Sequence, residues 1–215
     1  MSKVIVIIGA GKGISLAVAE KFGKEGFSVV LISRREEKLE ELQKILTQKN
    51  IPTQIYVGDA GDSDSIKDAF DRIWEQHEHI DVVHYNVAKR KKVNIAEETA
   101  DGLTRDFKIN VASVMTAVNL VLPDMEKKGE GAILISGGGY ALVPNPDLGS
   151  LSIGKAGIRN LAHSLHLALK PRNIFVGTLT ICNHIEKENE KYNFQNVAEQ
   201  FWKLYSDKKD FEIQF

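Results

Sequence analysis

Residues 4–15 read VIVIIGAGKGIS: five apolar residues without a break, three closely spaced glycines, then a helix-patterned segment. A strand with one face in water alternates polar and apolar residues, so an unbroken run of Val and Ile needs cover on both faces. Helices on either side of a parallel sheet supply that cover. Short apolar runs recur at 29–32, 54–57, 81–85, 132–135 and 174–180, with 211–215 as a seventh, and longer helix-patterned segments separate them. This alternation predicts an α/β fold, a doubly wound parallel sheet of about seven strands with helices on both faces. In the first helix Ile14, Ala17, Val18 and Phe22 can face the sheet, and Gly26 is a plausible stop.

The chain has 215 residues, 43% of them hydrophobic and 27% charged. That suits one globular domain over 1–215, and no repeat, low-complexity tract or linker divides it. A net charge of −1 gives no general attraction to nucleic acid or to an anionic membrane. The first apolar run is too short for a signal sequence or a membrane span. Cys182 is the only cysteine, which excludes an intrachain disulfide, leaves no thiolate cluster for a metal, and suits a reducing cytoplasm. His77 and His79 lack a third ligand, so no metal is expected. The charge-dense stretch 185–193, within a short substrate-loop region near 183–195, is expected to be mobile and unpacked.

Gly9, Gly11 and Gly13 let the backbone turn tightly and approach a pyrophosphate, while the helix start at Ile14 aims free N–H groups at the negative charge. The glycines alone are a weak signal, which the flanking strand and helix strengthen; a tight turn without a ligand is the alternative. The second strand ends in ISRREEKL. Ser33 stands where an acidic residue would take the ribose 2′-hydroxyl of NAD, and Arg34 and Arg35 follow it. A hydroxyl and guanidinium groups suit a 2′-phosphate, and Lys12 could add another cation. This favours NADP(H) as cofactor. A solvated charged helix start is the competing reading.

Along nearly its whole length the chain resembles the short-chain dehydrogenase/reductase family, which implies a Rossmann fold. GAGKGIS is similar to that family's TGxxxGxG turn, with Ile8 at the threonine and Ser15 at the last glycine. Asp59 and Ala60 match the pair that contacts adenine. Tyr85, Asn86, Val87 and Ala88 stand at the NNAG strand end, and Asn86 and Ala88 are carried over as cofactor contacts. Asn110 matches the helix-kinking asparagine of the catalytic tetrad, and Lys155 the lysine that binds the nicotinamide ribose and lowers the pKa of a catalytic tyrosine. The resemblance also implies a complete chain and a homodimer or homotetramer built on the helices near Asn110 and after Lys155.

Two members of the implied tetrad are replaced. Leu151 holds the tyrosine position and Gly137 the serine position; leucine has no proton to give, and glycine has no hydroxyl to orient a carbonyl. Tyr140, after the glycine run, is the substitute acid to test beside water; His84 reads as a sheet-flanking side chain, and Ser150 and Ser152 as poor acids without a base. The KRKK stretch at 89–92 could hold an anion or simply be a solvated loop. Two functions remain open. One is an atypical NADP(H)-dependent oxidoreductase acting on a small carbonyl or alcohol substrate; the other is a non-catalytic NADP(H)-binding regulator or assembly partner without a substrate.

Overall fold

The computed structural model describes residues 2–215. In chain order the elements are β1 (Val4–Ile8), α1 (Ile14–Lys24), β2 (Ser28–Ser33), α2 (Glu36–Thr47), β3 (Thr53–Val57), α3 (Ser63–Trp74), β4 (Val82–Tyr85), α4 (Ala100–Phe107), α5 (Ser113–Lys128), β5 (Gly131–Ser136), α6 (Gly149–Leu169), β6 (Ile174–Thr180), α7 (Phe194–Asp207) and β7 (Glu212–Gln214). The seven strands form one sheet in the order β3-β2-β1-β4-β5-β6-β7, and every pairing is parallel. The expected strands are all present. β2 and β5 each extend one residue further at both ends, Asp81 lies just before β4, and Phe211 and Phe215 flank a three-residue β7.

The period of two along β1 divides the interior. Val4, Val6 and Ile8 pack with α3, α5 and α6, through Phe70, Val118 and Ile158 among others. Ile5 and Ile7 face α1, α2 and α7, where Phe22, Leu42 and Phe201 lie. α7 docks on α1 through an edge-to-face pair between Trp202 and Phe22, with ring centroids 5.1 Å apart. That docking carries the start of α7 to the glycine turn, where a Cβ on Gly13 would meet the Phe194 ring at 3.0 Å. Strand order reverses between β1 and β4, which opens a crevice at the C-terminal ends of these strands.

At the other end of the sheet, the Asp81 carboxylate joins three elements. Its Oδ2 accepts the Val4 N–H at 2.7 Å, and Oδ1 pairs with Lys128 at the end of α5. His77 and His79 are also here, remote from the crevice and already engaged: His77 Nε2 bonds Gln54 Oε1 at 2.6 Å, and His79 Nδ1 bonds Asp124 at 3.0 Å. The stretch 185–193, expected to lack packing, has local order instead. The Glu186 N–H donates to Tyr192 O, and Asn189 Oδ1 accepts the N–H groups of Lys191 and Tyr192. Asn193 then caps α7 by accepting the Asn196 N–H.

Asp81→Ala leaves the Val4 N–H without its acceptor and Lys128 with only the longer contact to Glu130, and is expected to cost about 1–3 kcal/mol. Asp81→Asn, which keeps a carbonyl acceptor for Val4, should cost less. Denaturant unfolding reads both as a lower midpoint with an unchanged slope.

Candidate functional site

The glycine turn is held by close backbone approach. Gly9 adopts φ +85°, a conformation that favours glycine, and a Cβ there would lie 2.7 Å from the Asn86 carbonyl oxygen. The N–H groups of Gly9 and Ala10 both donate to Ile32 O, at 2.9 and 3.0 Å. A Cβ on Gly11 would meet nothing within 4 Å, so space lies open above the turn. Gly13 caps α1 without a side-chain hydrogen bond, which leaves first-turn amides available to an anion. The Ile14 side chain packs into the core; only its amide belongs to this cradle. These features fit a pyrophosphate.

Ser15, in the sequence a departure from the family glycine, proves to be the pin of this junction. Its buried Oγ donates to Gly9 O at 2.9 Å and accepts from Asn86 Nδ2 at 2.7 Å, joining the ends of β1 and β4. Beside the glycine turn, Ser33 ends β2, and Arg34 and Arg35 are exposed at the start of α2. Asp59 Oδ1 accepts the Gly61 N–H at 2.9 Å. Ala60 is buried beside it, whereas Ala88 is exposed beyond Asn86. Lys12 differs from the sequence reading: its Nζ lies 2.7 Å from Glu41 of α2, so it is engaged by a carboxylate.

Lys155 lies across the crevice on α6, half-buried, with its ammonium donating to Ser136 O at 2.7 Å. Desolvation with no charged partner lowers its pKa to about 8. Leu151, one helical turn earlier, is buried. Gly138, and not Gly137, is the position that faces the lysine. A Cβ on Gly138 would sit 3.3 Å from Lys155 Cε, whereas one on Gly137 would press on Leu179 O and Thr178 Oγ1 of β6, each at 2.9 Å. Asn110 sits in a π-helical turn between α4 and α5. It clamps the backbone beyond β4, accepting the Lys89 N–H at 2.6 Å and donating to Lys89 O at 3.3 Å. Tyr140 is half-buried in a single 3₁₀ turn after β5.

Several polar groups near this site are committed elsewhere. The Tyr85 hydroxyl donates to Ile109 O at 3.1 Å and shares a hydrogen bond with Ser113; burial pushes its pKa up to about 12. Ser150 donates to the buried Asp106, whose other oxygen pairs with Lys89 at 2.8 Å. Ser152 bonds Leu148 O. Lys91 is bound to Glu98, so half of the KRKK stretch has internal partners. His84 is fully buried, with Nε2 3.1 Å from Ser136 Oγ, Nδ1 without a partner among the described residues, and its ring against Phe201. Burial pushes its pKa down to about 3, so the imidazole is neutral. A histidine inside the run DVVHY carries no sequence sign of this pairing.

The family model described as short chain dehydrogenase matches residues 3–185. Among curated proteins, the chain is 29% identical over 182 residues to dehydrogenase/reductase SDR family member 4 of Sus scrofa, covering 83% of this chain and 64% of that protein. It thus spans somewhat less than two thirds of that relative's length. Among solved structures, a metagenomic short-chain oxidoreductase in complex with NADP superposes with a TM-score of 0.87 at 20% identity, over 99% of this chain and 95% of that one. A variant of the actinorhodin polyketide ketoreductase with NADPH gives 0.91 at 19% identity, over 99% and 95%. These structural matches establish the doubly wound fold.

Two outcomes test this geometry. Gly9→Ala, strained in φ and driven into Asn86, should abolish dinucleotide binding as read by cofactor fluorescence. His84 lowers stability in acid: the unfolded chain takes up a proton below the ordinary pKa of 6.5 while the folded one resists until about 3. Stability should therefore fall with pH across this window by up to about 1.4 kcal/mol per pH unit from this group. His84→Val should remove that share of the slope in urea titrations at several pH values.

Proposed function

Since the chain belongs to the short chain dehydrogenase family, we propose that it is an NADP(H)-dependent oxidoreductase acting on a small carbonyl or alcohol with an incomplete tetrad. The observation that supports this reading is that Lys155 reaches Ser136 O at the end of β5 and Asn110 packs against Gly154 beside it, at the same end of the sheet as the glycine turn after β1. NADP(H) supplies the hydride when bound. Gly9, Gly11 and the start of α1 hold the pyrophosphate; Ser33, Arg34 and Arg35 hold the 2′-phosphate; Asp59 and Ala60 flank adenine. Lys12 joins them by exchanging Glu41 for the phosphate. Asn86 and Ala88 border the nicotinamide side, and the Lys155 ammonium takes the ribose hydroxyls. With leucine at 151 and glycine at 138, the proton has another source, and Tyr140 and water are the candidates carried from the sequence.

The buried Leu151 also favours a second reading, a protein that binds NADP(H) as a signal or an assembly ligand without turnover. In either case the exposed Phe107, Ile153 and Leu167, on α4 and α6, suit a twofold helix-to-helix contact, and we assign a homodimer or homotetramer. No described helix is long and apolar enough to cross a membrane. We place the protein in the cytoplasm, on its single cysteine.

Fluorescence titration should show tighter binding of NADPH than of NADH, and Arg34→Ala should weaken NADPH about tenfold or more while leaving NADH unchanged. Equal affinities in the wild type would remove the phosphate role. Leu151→Tyr returns a phenol to the lysine and should raise aldehyde reduction by about 100-fold or more; no gain with NADPH bound would favour the non-catalytic reading.

A further inference from the structure

On the reading of this chain as an NADPH-dependent carbonyl reductase, we propose that Lys155 itself is the general acid, its ammonium donating a proton directly to the substrate oxygen. An ammonium carries three N–H donors. One is spent on Ser136 O at 2.7 Å, which ties the amine to the end of β5; a second serves a ribose hydroxyl of the bound cofactor, and the third is left for the substrate oxygen. The usual competitor for those donors is gone, because the residue one turn away is Leu151. The position facing the lysine stem is Gly138, so no hydroxyl stands between the amine and a bound carbonyl.

The surroundings do not hold Lys155 as a spectator cation. On α4, the Asp106 carboxylate is taken by Lys89 and Ser150; on β7, Glu212 is taken by Arg159, with 2.6 and 2.7 Å contacts, and by Thr180. Asn110, in the π-helical turn packed on Gly154, is neutral and bound to Lys89. The loop after β5 carries Tyr140 and Asp147, and the loop after β6 carries Cys182, His184 and the charged stretch 186–191; among the described residues none of these pairs with the amine. Desolvation alone sets its acidity, with a pKa near 8. Such a group is largely protonated at neutral pH and is a stronger acid than an ordinary lysine, which suits general acid catalysis.

Atoms and electrons balance in this step. With NADPH bound, the cofactor would supply hydride to the carbonyl carbon, and the carbonyl π pair, moved onto oxygen, would take the proton as a Lys155 N–H bond breaks. The products are the alcohol, NADP⁺ and a neutral lysine, which solvent reprotonates. The carbonyl is reduced and the cofactor oxidised.

The test uses the full chain, 4-nitrobenzaldehyde and a panel of ketones, with NADPH binding measured first by fluorescence. At saturating NADPH, kcat/KM for the carbonyl should fall as pH rises through about 8, the pKa that burial gives the amine before substrate binds, because the protonated amine is the active form. Lys155→Arg keeps the positive charge but gives up its proton far less readily; it should bind NADPH yet lose about 100-fold or more in kcat. Lys155→Ala should be rescued by added alkylammonium ions in the order of their acid strength, a response that a merely structural role would not give. Tyr140→Phe should keep the limb near pH 8. A lost limb in Tyr140→Phe, absent amine rescue, or no turnover by wild type with NADPH bound each overturns the proposal. If NADPH does not bind, the function proposed above fails and this inference falls with it; if NADPH binds and amines do not rescue, only the inference fails.

Discussion

The rest of the site depends on how closely two strand ends meet. Where β1 ends, Gly9 leaves no room for a Cβ against the Asn86 carbonyl at the end of β4. The buried Ser15 hydroxyl then joins the Gly9 carbonyl to the Asn86 side chain. Because the sheet reverses its winding between these strands, the junction sets both the entry of α1 and the floor of the crevice. A side chain at position 9 would separate the two halves of the fold where they must cooperate. The shape of the glycine turn and the position of the crevice are therefore consequences of one steric constraint.

Much of this was legible because it rests on local patterning. VIVII could only be a strand covered on both faces, and the turn after it could only be glycine-rich if the chain was to reverse so close to Asn86. Ser33 and Arg34 were readable for a similar reason, since their distance from the glycines along a βαβ unit fixes where they stand. Asn110 was placed by the resemblance alone, and a π-helical turn surrounds it.

What escaped the sequence concerns direction and choice of partner. Three consecutive glycines have no side chains to set their phase, so nothing in GGG showed that Gly138 faces Lys155 while Gly137 presses on β6. Lys12 has an exposed side chain that can swing among several neighbours, and its preference for Glu41 follows from how α2 lies, which no one-dimensional pattern records. His84 was hidden by its apolar context. Strand alternation turns it to the α7 side with Ser136, whereas Tyr85, one residue on, turns to the opposite core and is lost to chemistry.

The lysine that remains at the crevice differs chemically from one paired with a phenol. Beside a phenol, the ammonium acts through its field, favouring the phenolate, and its own proton stays in place. Leu151 and Gly138 beside the stem of Lys155 offer it no hydroxyl or carboxylate, and burial lowers the pKa of the ammonium. The same desolvation that makes the cation less stable makes its proton easier to give. On the proposal that Lys155 is the acid, the absence of a phenol at 151 and the acidity of the buried ammonium are two sides of the same apolar surroundings.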